Sequence, residues 1–256
     1  MKRYSASGRE AGPLGQLSLW SGESPDQRWT VRVSDRARRM SIRVLVGGHV
    51  DIVVPRWTRP GAVQRFVQRH RAWVERKVRE FSLRHSPAAD SVPESIELAA
   101  CGEHWTVQRT PATQRAALRS FDSGMLLLAA DPHSAADIRR LFQDWLLQRA
   151  RAVLVPLLGR LANETGLTFR QVQIRRQRTR WGSCSPAGTI SLNCCLLFQS
   201  PPVVRYLLLH ELCHTRQMNH SRRFWQLVER HEPDYRRLDR ALTRGWQNVP
   251  NWVFAP

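Results

Sequence analysis

The alternation of apolar and polar residues predicts strands in several parts of the chain. Residues 28–55 alternate in three runs, and Gly47 and Gly48 lie between two of these runs as a hairpin turn signal. Shorter apolar runs at 96–109 and 124–130 predict further strands. Residues 172–200 have the pattern of a strand, a loop and a second strand.

Apolar residues at helical spacing predict helices between these strands. One pattern covers 58–85, with Pro60 in its first turn. A long pattern begins near Ser134, a suitable N-cap, and stops at Gly166, a C-cap residue. Pro156 inside it should kink or split the helix. Three more helices are predicted to begin near Ser200, Ser221 and Pro233.

This order of elements predicts an α+β protein. Residues 1–25 are rich in Gly, Ser and Pro and predict a flexible N-terminal segment. Residues 26–130 form a β-rich N-terminal region with one helix, and 131–256 form a mostly helical domain with a small sheet. The break at Asp131-Pro132 suggests the boundary between the two.

Composition adds a strong positive charge, +19 over 256 residues, and nearly all of it comes from arginine. Two interpretations stay open. In the first, the genome favours arginine codons and the arginines lie on ordinary solvated faces. In the second, the arginines attract nucleic acid or another polyanion. Charge alone does not decide between them.

The cysteines and the hydropathy bear on the cell compartment. The five cysteines are odd in number and contain no CxxC pair, which favours reduced thiols in the cytoplasm over a disulfide framework. No run of about 18 apolar residues is present, so we expect no membrane partner. The first 20 residues lack the continuous apolar core of a signal peptide. The oligomeric state stays open.

Candidate chemistry is concentrated in YLLLHELCHTRQMNHSRRFW, residues 206–225. His210 and His214 are four residues apart and project from one face of a helix, where two imidazoles can bind one zinc ion. Glu211 lies between them, where its carboxylate can act as general base on a water at the metal. This is the HExxH arrangement.

A catalytic zinc site has three protein ligands and one open position. A continuous helix would rotate His220 by roughly 240° from the ligand face, at about 100° per residue. We therefore expect the helix to end soon after His214, and Ser221 to begin the next helix, so that His220 faces back as the third ligand. Cys213 could also bind zinc, but a buried thiol is its commoner role.

Other residues are weaker candidates. A strand at 189–193 beside the helix could align an extended peptide through main-chain hydrogen bonds. The arginines upstream of it form either a solvated face or a rim that contacts anions. These are Arg175, Arg176, Arg178 and Arg180. His104, His231 and Tyr235 could stabilise an oxyanion, although surface or core roles are commoner for such residues.

The stretches RTRWGSCSPAGTISLN, YLLLHELCHTRQMNHSRRFW and EPDYRRL together resemble the YgjP-like family of zinc metallopeptidases, which is related to SprT-like and other compact zincins. The likeness is close over 170–240, and the earlier RMSIRV and AWVERKV segments are also similar. The resemblance implies a zincin-like C-terminal domain in which His210, His214 and His220 bind Zn²⁺. It also implies that Glu211 is the base.

The leading hypothesis is therefore a zinc-dependent peptidase that cleaves a protein or peptide substrate through a zinc-bound water activated by Glu211. The charge and the SprT-like kinship suggest substrates associated with DNA. Two alternatives stay open. One is a zinc-dependent nucleotide or phosphoanhydride hydrolase, and the other is a nucleic-acid-binding module whose zinc is structural, with Cys213 as a fourth ligand.

Overall fold

The computed structural model describes residues 29–45, 50–84, 93–111, 116–130 and 135–254. Contacts within the chain divide it into two compact units, 1–84 and 85–256. The predicted flexible segment at 1–25, the Gly47–Gly48 turn and the Ser134 cap lie outside the described residues.

The first unit contains three strands and one helix, as the hydrophobic pattern predicts. The strands are β1 (Trp29–Ser34), β2 (Ser41–Val44) and β3 (Val50–Pro55), and the helix is α1 (Pro60–Arg84). The sheet order is β1-β3-β2, in which β3 is parallel to β1 and antiparallel to β2. The central strand β3 is buried along its whole length.

One face of α1 contributes to the core of this unit. Val63, Val67 and Val74 of α1 belong to the same buried cluster as Val50 and Ile52 of β3, and each is at most 2% exposed. Burying a valine or isoleucine side chain stabilises a fold by about 1.5–3 kcal/mol. The helix is therefore fixed by one stripe, and its opposite side stays at the surface.

The second unit begins with a four-stranded sheet of β4 (Ser95–Leu98), β5 (Glu103–Thr110), β6 (Ala117–Phe121) and β7 (Met125–Ala129), in the order β4-β5-β7-β6. This sheet packs on α2 (Ala135–Thr165): the Trp105 and Trp145 rings lie edge to face at 5.4 Å. The predicted boundary between 130 and 131 therefore falls inside the second compact unit, because sheet and helix share one core.

Helix α2 continues through Pro156. Of the two predicted outcomes, a kink or a split, the split does not occur. Proline in a helix interior costs about 3 kcal/mol. Leu154 and Leu158 on either side are fully buried, so packing offsets that cost. The helix stops at Thr165, and Gly166 follows with φ +67°, the left-handed conformation of a C-cap glycine.

The rest of this unit surrounds the histidine helix. A second sheet contains β8 (Gln171–Arg175), β9 (Gly182–Cys184) and β10 (Thr189–Asn193) in the order β8-β10-β9, and a 3-10 turn, Cys194–Phe198, follows it. Three helices come next: α3 (Pro201–Cys213), α4 (Arg222–His231) and α5 (Tyr235–Arg244). Helix α3 contacts β9, α2, α4 and α5. No helix among the described residues is both long and apolar enough to cross a membrane.

Candidate metal centre

Helix α3 presents two histidines one turn apart at its C-terminal end. It begins with a proline pair and is held by a buried apolar surface that includes Val204 and Leu208, both 0% exposed. It ends at Cys213, and His214 is its C-cap. The Nε2 atoms of His210 and His214 are 3.2 Å apart.

The chain then turns back, as the angular argument predicts. Ser221 has extended backbone angles at the N-cap position of α4, and His220 directly precedes it. The Nε2 atom of His220 lies 3.1 Å from Nε2 of His210. The ligand atoms of His210, His214 and His220 all lie within 4.8 Å of one another.

These three imidazoles fit a tetrahedral metal ion. Zinc–nitrogen bonds of 2.0–2.1 Å in a tetrahedron place the nitrogens about 3.3 Å apart, close to the two distances observed here. The backbone carbonyl of Gln217 lies 3.0 Å from Nδ1 of His214, so it can accept that N–H and leave the Nε2 lone pair for a metal.

The protonation states of His210 and His214 also favour metal binding. Burial and then repulsion from the neighbouring imidazoles lower the pKa of His210 to about 3. Burial also lowers the pKa of His214. Both rings are therefore neutral near pH 7, which is the form that binds metal. Nδ1 of His210 is buried and has no hydrogen-bond partner among the described residues.

Aromatic residues of α4 hold the rings in place. Phe224 is fully buried and stacks on His214 with centroids 4.4 Å apart. Trp225 stacks on His220 with centroids 5.6 Å apart, and Tyr235 of α5 stacks on Trp225 at 5.3 Å. His220 itself is exposed, so the cluster is open to solvent on that side.

Glu211 is buried beside the histidine cluster, at 4% exposure, and one carboxylate oxygen, Oε2, has no partner among the described residues. Buried polar atoms in native proteins are nearly always paired, so an unpaired one points to a function. Burial raises the pKa of Glu211 to about 8, while the charge of Arg180 opposes that shift.

Strand β9 covers the Glu211 carboxylate. A Cβ atom built on Gly182 would lie 2.6 Å from Oε1 of Glu211, so the main chain approaches closely there. Asn193 is fully buried and holds the loop before β9, since its Nδ2 donates to the carbonyls of Gln177 at 2.6 Å and Arg180 at 2.8 Å. Sequence reasoning did not identify Gly182 or Asn193, although both lie in the RTRWGSCSPAGTISLN stretch.

The predicted substrate strand, 189–193, is not available for a peptide in the way the sequence suggests. It is β10, the central strand, and its main chain pairs with β8 on one side and β9 on the other. The sheet has two outer strands, β8 and β9, and β9 is the one that contacts α3, so its outer edge lies beside that helix.

The remaining candidates lie as follows. Cys213 is fully buried, and it is not one of the side chains whose ligand atoms converge among the described residues. Tyr235 is stacked on Trp225, and its hydroxyl accepts a hydrogen bond from Arg236 at 3.0 Å. His231 is the last residue of α4, and His104 lies in β5, a strand of the four-stranded sheet β4-β5-β7-β6.

Two of the four upstream arginines donate hydrogen bonds to main-chain carbonyls near the end of the described chain. Arg176 donates to the carbonyl of Val253 at 2.8 Å. Arg178 donates to the carbonyl of Phe254, and its guanidinium lies 5.4 Å from the ring centroid of that residue. They fasten the C-terminal part of the described chain, so this cluster is less suited to anions than the sequence suggests.

The chain is similar to a known protein family and to a solved metallopeptidase structure. No curated protein matches the chain. Among solved structures, the metallopeptidase zymogen of Pyrococcus abyssi abylysin is 28% identical, with a TM-score of 0.33, over 36% of this chain and 93% of that one. The model of the YgjP-like metallopeptidase domain matches residues 38–245, well over half of the sequence. The chain therefore belongs to the YgjP-like metallopeptidase family, and it is a peptidase.

Proposed function

We propose that this peptidase uses zinc, that His210, His214 and His220 hold the ion, and that Glu211 is the general base. The observation that carries the proposal is the convergence of the three Nε2 atoms, 3.1 and 3.2 Å apart, beside a buried carboxylate. Three imidazoles with one solvent-facing side are the donor set of a catalytic rather than a closed zinc site.

Each residue has a separate role in the proposed reaction. Zinc bound by the three histidines would polarise the scissile carbonyl and make a water molecule more acidic. Glu211 accepts a proton from the attacking water on a carboxylate oxygen and passes it to the departing amine. Phe224 and Trp225 keep two of the histidine rings in position.

The proposal includes a zincin-like arrangement of α3, α4 and the β8-β10-β9 sheet. A peptide substrate would lie along β9, adding a strand to the sheet edge next to α3. The support for this choice is that β9 is an outer strand and that its Gly182 lies against Glu211. The substrate's main chain would then run beside the proposed base.

The two alternatives have less support. A structural zinc needs a fourth protein ligand, and among the described residues only three side chains converge, without Cys213. Hydrolysis of nucleotides needs phosphate-binding groups, and two of the arginines suited to that role are hydrogen-bonded to main-chain carbonyls. Membership of a metallopeptidase family favours a peptide substrate over both alternatives.

Two further parts of the proposal rest on composition. The net charge of +19 supports protein substrates that are bound to DNA. The free cysteines support a cytoplasmic location, because thiols are kept reduced there.

The proposal is tested by separating zinc binding from hydrolysis. Replacing His210, His214 or His220 by Ala should remove zinc, measured as metal per chain after dialysis, and should abolish cleavage of an unfolded protein such as casein. Glu211→Gln should keep zinc and lose about a hundredfold or more in kcat, because it removes the base and spares the ligands.

Matched controls lie on the neighbouring helix. His231→Ala and Glu229→Gln change the same residue types on α4, outside the cluster, and should keep both zinc and activity. Undiminished hydrolysis by Glu211→Gln would show that Glu211 is not the base. Full zinc occupancy in His220→Ala would remove His220 from the ligand set.

A further inference from the structure

The positive charge of this chain is concentrated in its first compact unit. Residues 1–84 contain 18 of the 40 basic residues and 7 of the 21 acidic ones, a net charge of +11 in about a third of the chain. Helix α1 is the longest element of that unit. Between residues 60 and 79 its only acidic residue is Glu75, and that carboxylate is paired with Arg71 at 2.7 Å.

Four exposed arginines form one stripe along α1, which we call the basic stripe. They are Arg65, Arg69, Arg76 and Arg79. At about 100° per residue they lie within about 40° of a common line, directly opposite the buried stripe of Val63, Val67 and Val74. At about 1.5 Å per residue the basic stripe is about 21 Å long. The core therefore fixes a rigid row of guanidinium groups at the surface.

Two large aromatic residues are exposed in the same part of the fold. Trp73 follows Arg69 by one helical turn, next to the basic stripe, and is 37% exposed. Trp57 lies in the turn that leads into α1, where Thr58 donates to the carbonyl of Pro55, and is 67% exposed. Burying an indole is favourable, so two exposed ones, one next to the basic stripe and one just before the helix that carries it, need an explanation.

We propose that the basic stripe, Trp73 and Trp57 form a binding surface for single-stranded nucleic acid. Guanidinium groups match phosphate oxygens in shape and charge. Exposed indoles offer stacking faces to bases, and only unpaired bases have a free face to stack. Two features therefore point to one partner: the arginines fit its backbone and the tryptophans fit its bases.

An anionic membrane is the other polyanion to consider, and the structure disfavours it. A helix that lies in a membrane surface inserts its apolar face into the lipid. The apolar face of α1 is already buried in the core of its own unit, with Val63 and Val74 at 0% exposure. Among the side chains of α1 that the structure describes, the exposed ones are mostly charged or polar, and Trp73 is the one large apolar residue.

This surface is independent of the peptidase proposal, since it lies in 1–84 and uses none of the histidines. It also differs from the arginines at 175–180, because two of those are hydrogen-bonded within the fold. Nucleic-acid binding can therefore be measured directly, with no protein substrate present.

The test measures anisotropy of a labelled 20-nucleotide oligothymidylate with the full chain, at several salt concentrations. The variant Arg65→Gln, Arg69→Gln, Arg76→Gln and Arg79→Gln combined should bind on the order of tenfold more weakly or worse at low salt. Each phosphate contact to a single strand contributes about 0.7 to the slope of log affinity against log salt. Losing four contacts should therefore lower the slope by about 2.8.

A charge-matched control separates this surface from the general charge of the chain. Arg140, Arg151, Arg160 and Arg244 are exposed arginines of the second unit, and changing these four to Gln removes the same charge elsewhere. Equal loss of affinity and slope in the control and the α1 variant would overturn the proposal. Thermal melting of both variants verifies that they are folded.

The tryptophans distinguish single strands from other polyanions. Trp73→Ala should weaken oligothymidylate binding about fivefold or more, because stacking on a base is lost. The wild-type chain should prefer the oligothymidylate to the corresponding duplex and to vesicles of phosphatidylserine and phosphatidylcholine. Unchanged affinity in Trp73→Ala, or tighter binding to duplex or vesicles, would overturn the assignment to single strands.

Discussion

At the residue scale, the carboxylate of Glu211 depends on a position that has no side chain. A Cβ atom on Gly182 would lie 2.6 Å from Oε1 and 2.9 Å from both Cγ and Cδ of Glu211. Three contacts this short involve most of the glutamate side chain, so a rotation of its tip alone does not relieve them. Position 182 has no space for a Cβ atom, so a glycine is required there. Gly182 therefore acts as a positioning residue for the proposed base.

Gly182→Ala should therefore move the carboxylate while leaving the histidines in place. We expect zinc content to stay at the wild-type value and kcat for casein to fall on the order of 10- to 100-fold, because catalysis is sensitive to displacements of about 1 Å. The measurements are metal per chain and steady-state kinetics. A selective loss in kcat distinguishes displacement of the base from damage to the whole site.

Gly159→Ala is the matched control. It lies within α2, and a Cβ atom built there has no neighbour within 4 Å. Its activity should be unchanged, and its stability should rise by up to about 1 kcal/mol, because alanine favours a helix over glycine. If Gly182→Ala kept full activity like this control, the Glu211 side chain would tolerate a Cβ atom at position 182, and the proposed role of Gly182 would be wrong.

The positions of the three histidines could be predicted from the sequence, whereas the contact between Gly182 and Glu211 could not. The spacing of His210 and His214 was sufficient to predict a shared face, because that relation lies within one helix. The direction of His220 followed from where that helix must end. The closeness of Gly182 to Glu211 depends on β9 packing against α3, across nearly thirty residues of chain, and no local period encodes it.

At the element scale, an ion pair joins β5 to α2. Arg149 donates through Nε to Oε2 of Glu103 at 2.7 Å and through Nη2 to Oε1, and Nε1 of Trp105 donates to Oε2 at 2.9 Å. The hydrogen bonds from Arg149 are the largest influence on the carboxylate, and they lower the pKa of Glu103. The same contacts fix the sheet against the helix.

This pair gives stability a defined dependence on pH. A carboxyl group whose pKa is lower in the folded state stabilises the fold above its unfolded pKa, about 4.3. That stability is lost as pH falls through the lower, folded value. Glu103→Gln should therefore reduce the free energy of unfolding at pH 7, by up to about 1 kcal/mol because both side chains keep some contact with solvent.

Urea denaturation at pH 7 and at about pH 3 measures the effect. The difference between wild type and Glu103→Gln should shrink as pH falls, because protonation of Glu103 removes the charge that Arg149 stabilises. Glu97→Gln, an exposed residue of β4, is the control and should change stability little at either pH. A difference between wild type and Glu103→Gln that stayed constant with pH would mean that the charge of Glu103 is not what stabilises this contact.

The elements themselves were more predictable than their pairing. The three strands of the first unit and the helices α1, α3 and α4 follow from hydrophobic period and capping residues, which are local. The parallel pairing of β1 with β3 and the central place of β10 are not local, and the second corrects the predicted substrate strand. Pro156 shows the same limit, since its local preference against helix is outweighed by the buried leucines around it.

At the scale of the whole molecule, the chain divides at a place that composition does not mark clearly. Asp131-Pro132 has the composition of a break, yet the chain divides into its two units between Arg84 and His85. Trp105 and Trp145, each nearly buried, pack on each other across that apparent break. The amide of Ala100 donates to the carbonyl of Leu197 at 3.0 Å, which joins the same sheet to the segment that precedes α3.

This division predicts how fragments of the chain behave. A fragment of residues 85–256 retains the sheet β4–β7 on α2, and it should unfold in urea in one cooperative transition and bind zinc. A fragment of 131–256 removes the buried residues Trp105, Leu126 and Leu128 and uncovers the face of Trp145 that packs on Trp105. It should lose the cooperative transition or unfold at a clearly lower urea concentration. Tryptophan fluorescence and the slope m, which scales with the surface exposed on unfolding, measure both outcomes. An equal midpoint for the two fragments would restore the boundary at 130 and 131, because it would mean that the sheet adds nothing to the stability of the unit that carries the histidines.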